Sequence, residues 1–132
     1  RPQKNGRKVF GSVVKYNEHW RLGANEATEI EFFEPVIIQQ KKVPEGRYML
    51  YCIPQPAEWT LILNSDLYSW GLITDPGKDI FKFTVPTIAA GTAIEAFTME
   101  TEKSSDGSAL LWIGWDDTKV VLPIQLITDK ER

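Results

Sequence analysis

At 132 residues, with 42% hydrophobic and 11% aromatic side chains, the chain carries enough apolar material to bury one substantial core, which excludes a disordered segment. A net charge of −3 leaves no positive excess to neutralise a phosphate backbone, so nucleic acid is excluded as a partner. One cysteine, Cys52, precludes an internal disulfide, and with the single histidine, His19, it offers no zinc-like ligand spacing.

No apolar run approaches the roughly 18 residues that a membrane-spanning helix needs. The opening RPQKNG has no apolar signal core, so the chain reads as either a cytosolic protein or the mature part of an exported one. Residues 1–8 form a polar arm with a tight turn at Asn5-Gly6, and the first apolar residues are Val9, Phe10, Val13 and Val14.

The segment from His19 to Thr28 concentrates more groups fit for binding than any other. Gly23, Ala24 and Asn25 tolerate left-handed backbone and predict a turn before a strand at about 27–33, where Ile30 and Phe32 alternate with Glu29 and Glu31. A second run begins after Pro35, and KKVPEG at 41–46 predicts the turn of a hairpin that returns along 47–53. Pro54 and Pro56 stop that strand, and Trp59, Leu61 and Leu63 mark the next.

A long connection, 64–78, holds Tyr68 and Trp70 among several turn formers. Strands follow at 80–85 and 93–101, and SSDG at 104–107 predicts a hairpin turn. ALLWIGW at 109–115 is apolar on both faces and predicts a central strand covered on both sides. Asp116-Asp117 reads as a turn into a strand in which Val120, Leu122, Ile124 and Leu126 share a face, while Pro123 places that strand at an edge or bulge. About eight or nine short strands and no helical periodicity predict an all-β antiparallel sandwich, one domain over residues 1–132.

Chemistry is sparse. A calcium site would use oxygens such as Asp116 and Asp117, but the spaced acidic loop of an EF-hand is missing. No GlyXaaSerXaaGly elbow accompanies His19. Glu29 and Glu31 share a strand face at about 6.6 Å of rise, near the spacing of an inverting glycosidase, yet any half-exposed strand presents such a pair.

Of the five tryptophans, Trp59, Trp112 and Trp115 lie in apolar strands and are expected in the core, and Trp70 in its own loop. Trp20 alone sits in polar company, which leaves two readings of its segment. In one it is a ligand site: Trp20 stacks on a glycan or other small molecule, Arg21 donates a forked pair of hydrogen bonds, and Asn25, Glu26 and Thr28 complete the recognition. In the other it is an internal clamp with Trp20 as anchor and Arg21 paired to Glu26.

Arg1-Pro2, GRKVFG at 6–11, WRLGANEAT at 20–28, VPEGRYMLYCIP at 43–54, EWTLILN at 58–64 and Trp70-Gly71 resemble the DUF2911 family of bacterial proteins over essentially the whole chain. That resemblance implies export to the periplasm or beyond, since relatives commonly carry an export signal. It also implies a further strand ahead of Arg1-Pro2, so the 1–132 domain is expected to lack its first strand. Gly6, Arg7, Gly11 and most of 20–28 fall in the signature, whereas His19 does not, and Leu22 stands where a small polar residue is usual. The family label names no activity. No catalytic residue, metal or cofactor is implied, and the balance favours a non-catalytic binding or structural module over the alternative, a carbohydrate-active hydrolase using Glu26.

Overall fold

The computed structural model describes residues 3–11, 14–18, 20, 22, 28–65, 67, 76–104 and 108–127. Eight strands follow one another: β1 (Thr28–Phe32), β2 (Val36–Ile38), β3 (Lys41–Val43), β4 (Gly46–Pro54), β5 (Glu58–Asn64), β6 (Asp79–Pro86), β7 (Ile88–Lys103) and β8 (Ala109–Leu126), with a 3-10 turn at Pro76–Lys78. They form two four-stranded antiparallel sheets, β1-β4-β5-β6 and β3-β2-β8-β7. The inner faces pack on each other as the expected β-sandwich, with a core drawn from both sheets.

The hairpin expected between 35–39 and 47–53 does not form. β2 instead pairs with β3 (Val36↔Val43, Ile38↔Lys41), while β4 lies in the other sheet. The two-residue turn is Gln39-Gln40, with φ of 49° and 67°, the left-handed geometry that two-residue hairpins require. Neither glutamine favours it. The apolar alternation Val36, Ile38 and Val43, all buried, sets the register, and Gln39 Nε2 donates to the Thr84 carbonyl at 2.7 Å.

Asp116-Asp117 is likewise no turn. β8 runs through it as one strand of 18 residues, with a bulge at Asp116 (φ 54°) opposite Ile94, where the β7 register also shifts. One extra residue reverses the parity of the side chains. Leu111, Ile113 and Trp115 point inward before the bulge, and Val120, Leu122 and Ile124 after it, so the buried face is unbroken. Leu126, opposite the buried Val36, keeps that face but is exposed at the strand end. Pro123 falls between the stretch paired with β7, which reaches Lys119, and the stretch paired with β2, which begins at Gln125.

A strap of residues ahead of β1 closes the sandwich. Asn5-Gly6 forms the predicted turn, with Arg7 N donating to Lys4 O at 2.9 Å. Gln3 bridges Ala96, and Lys4 N donates to Glu95 O at 2.9 Å, which covers part of the free edge of β7. The Asp116 carboxylate accepts from Val9 N at 3.3 Å and lies 3.8 Å from Lys4 Nζ. The bulge thus aims one acidic side chain at the strap, a structural use for a residue that the sequence also offered to calcium.

Beyond it the strap delivers Val9, Phe10, Val14 and Trp20 into the core. There Phe10 meets Trp20 and Trp59, and Trp20 meets Trp59 from one sheet and Phe97 and Trp115 from the other, with ring centroids 5.2–6.3 Å apart. Such aromatic pairs contribute about 0.5–1.5 kcal/mol each beyond the area they bury. Trp115 Nε1 donates to Glu95 O at 2.9 Å, whereas Trp59 Nε1 is buried with no partner.

Candidate functional site at the open edge of the sandwich

The segment singled out in the sequence meets the fold at its two ends. Trp20 and Cys52 form an antiparallel bridge in which Trp20 N donates to Cys52 O at 2.7 Å and Cys52 N to Trp20 O at 2.8 Å. Thr28 is paired with Leu50, two positions back along β4 on the same edge. A regular strand would join those two positions through one residue; here seven do so, 21–27. Within them Leu22 is 2% exposed and sits at φ 58°. An L-residue other than glycine or asparagine is strained there by roughly 1–2 kcal/mol. Its carbonyl accepts from Thr28 Oγ1 at 3.0 Å, which draws the two ends of the excursion together.

Trp20 is not a free stacking surface. It is 9% exposed, with Phe10, Trp59, Phe97 and Trp115 around it, so its rings answer to the core and to no solvent-borne ligand. Polar neighbours in sequence made it look exposed, but the antiparallel bridge to Cys52 turns its side chain inward. Arg21, Asn25 and Glu26, together with His19, lie outside the described residues. The ion pair Arg21–Glu26 and the hydrolytic role for Glu26 belong with them.

Thr28 does line a cavity. Where β1 and β7 face each other across the open edge, a concavity of about 210 Å³ is bounded by Thr28, Glu29, Ile30, Leu50, Met99, Glu100, Thr101 and Leu111. Its floor is apolar, from Ile30, Leu50, Met99 and Leu111, and its rim carries two hydroxyls and two carboxylates. Glu29 is paired with Arg47 across the strands, so it is held as a structural group, while Glu100 has no side-chain partner among the described residues. Met99, Glu100 and Thr101 were missed in the sequence: β7 reads as an ordinary strand, and only the sheet packing brings it opposite β1.

Two further expectations change on the opposite face of the second sheet. Trp112, expected in the core, is half-buried and points outward with Leu110 and Gly114, so β8 is not covered on both sides. Trp59 and Trp115 do fill the core, at 0% and 2% exposure. Cys52 is fully buried, and that burial pushes its thiol well above the ordinary range, which suits a small core hydrophobe and not a nucleophile. Among the described residues no group of three or more His, Cys, Asp and Glu is placed to hold a metal, and no helix is long and apolar enough to cross a membrane.

The described residues therefore form an eight-stranded antiparallel β-sandwich with an N-terminal strap and a small cavity at its open edge. It belongs to the DUF2911 family, described as a protein of unknown function, whose family model matches residues 1–124. No curated protein and no solved structure matches the chain.

Proposed function

We infer that this is a non-catalytic binding module that takes a small hydroxylated ligand at the open edge, between β1 and β7, where Thr28 ends the segment 20–28. One observation carries the reading: Thr28 is at once the last residue of the signature segment, a wall of the cavity and the donor that ties the segment back through Leu22. In this reading Arg21, Asn25 and Glu26 contribute to recognition, Arg21 by forked donation to vicinal hydroxyls or a carboxylate. The apolar floor takes the ligand's hydrocarbon part while Thr28, Thr101 and Glu100 face its polar groups.

The cavity is smaller than the roughly 300 Å³ at which drug-sized sites begin, so the ligand is on the scale of one sugar or one amino acid. With Trp20 enclosed, recognition here rests on hydrogen bonds and not on aromatic stacking. We place the protein in the bacterial periplasm or outside the cell, in one domain, following the export signals common among the relatives it resembles.

A thermal-shift screen with monosaccharides, polyols and amino acids tests the reading. A hit that raises the Tm of the wild type, and loses that effect in Arg21→Ala and Thr28→Val, supports it; a hit retained by both variants removes the segment from recognition.

A further inference from the structure

We propose a second site, unrelated to the segment 20–28: the concavity on the outer face of the β7–β8 pair binds a neutral saccharide, one ring of which stacks on Trp112. This hollow is the larger of the two, about 280 Å³, and is lined by Ile94, Glu102, Leu110, Trp112, Lys119 and Val121. It spans the bulge, so that Leu110 and Trp112 reach it from before Asp116 and Lys119 and Val121 from after it. Without the parity change these pairs would lie on opposite faces of the sheet.

Gly114 lets three of the walls pack close together. A Cβ there would come within 2.8 Å of Ile94 Cδ1, 3.1 Å of Trp112 Cζ3 and 3.3 Å of Lys119 Cβ. Three walls thus converge on the one side chain that is missing, and the indole leans into the space it leaves. Its backbone angle does not call for glycine, since the φ of Gly114 lies outside the left-handed region; space does.

The polar groups set the ligand class. Trp112 Nε1, the Glu102 carboxylate and the Lys119 ammonium have no side-chain partner among the described residues. A purely apolar guest would engage none of the three, whereas a polar one is offered two donors and an acceptor. The two charges cancel, so neither an anion nor a cation is matched. A sugar ring answers every feature. Its C–H face lies on an indole, and its perimeter of hydroxyls both accepts from Lys119 and the indole and donates to Glu102.

A glycan array of neutral oligosaccharides, probed with the labelled full chain and followed by calorimetry on the strongest hit, decides the matter. The wild type is expected to bind, Trp112→Ala to bind at least about tenfold more weakly as a central aromatic anchor is truncated, and Trp112→Phe to fall between. Glu102→Gln and Lys119→Met should each weaken binding with little change in Tm, which keeps the test valid if Trp112→Ala fails to fold. Arg21→Ala, at the other site, should bind as the wild type does. An array on which the wild type binds nothing overturns the proposal, as does equal binding by wild type and Trp112→Ala. So does loss of binding in Arg21→Ala with retention in Trp112→Ala, a pattern that would return the sugar to the open edge.

Discussion

Trp20 and Cys52 exchange both of their backbone hydrogen bonds, at 2.7 and 2.8 Å, and by doing so fix the strap to β4 and the largest ring of the strap among four others. Where an exposed tryptophan would contribute to binding, this one contributes to stability.

Trp20→Ala is accordingly expected to destabilise the fold by about 3–5 kcal/mol, the range for removing a large aromatic from a packed core. Urea denaturation measures it. A loss under about 1 kcal/mol would mean that the ring is dispensable to the core and free for a ligand.

Thr28→Val keeps the shape of the side chain and removes its donor to Leu22 O, 3.0 Å away. The expected cost is about 1 kcal/mol, the net worth of one hydrogen bond. Amide exchange at Glu29 and Ile30 should quicken if the bond fastens the segment to β1, and an unchanged rate would show that it does not.

Gln40 is left-handed in a two-residue turn, at φ 67°, a strain of roughly 1–2 kcal/mol that glycine avoids. Glycine in turn loses about 0.5–1 kcal/mol of chain entropy on folding. Gln40→Gly should therefore stabilise the protein by about 0.5–1 kcal/mol, read as a higher Tm; a lower Tm would contradict the turn geometry.

Alkaline pH should weaken the fold. Burial raises the Cys52 thiol well above its ordinary value of 9.0, and burial followed by the charge of Glu45 raises Tyr48 above 10.0. In the unfolded chain both groups release protons at those ordinary values, while the folded chain still holds them, so the unfolded state binds fewer protons and stability falls with rising pH. The contribution is intact below about pH 9 and is lost above it, through the raised values. Denaturation midpoints between pH 8 and 11 check the direction, and a thiol reagent should reach Cys52 only after unfolding.

Much of the fold is legible from alternation alone. Ile30 and Phe32 in β1, and Trp59, Leu61 and Leu63 in β5, show which face is buried, and the absence of a helical period leaves a sandwich as the economical answer. The misread places share one cause. Val43-Pro44-Glu45-Gly46 looks like a hairpin tip, but the turn is Gln39-Gln40, which carries no turn former and is imposed by packing. Asp116-Asp117 looks like a turn but is a bulge, because a register shift leaves no compositional mark.

The site was harder to read for the same reason. Trp20 has polar neighbours in sequence and apolar ones in space, whereas Trp112 has apolar neighbours in sequence and yet faces outward beside Glu102 and Lys119. A sharper signal was present: Leu110, Trp112 and Gly114 alternate with Leu111, Ile113 and Trp115, and a glycine two residues after a tryptophan on one face marks a close approach of neighbouring side chains. Thr28 lines the cavity, and its neighbours there from β7 depend on a sheet contact between residues some 70 positions apart in the chain.

The most direct test of binding at the open edge is an amide chemical-shift titration of the wild type with the strongest hit from the thermal-shift screen. The account predicts that the largest shifts cluster at Thr28, Glu29, Ile30, Leu50, Met99, Glu100, Thr101 and Leu111, the residues that bound the cavity, and that Thr28→Val abolishes them. Shifts confined to residues away from β1 and β7, or shifts that persist unchanged in Thr28→Val, would contradict it.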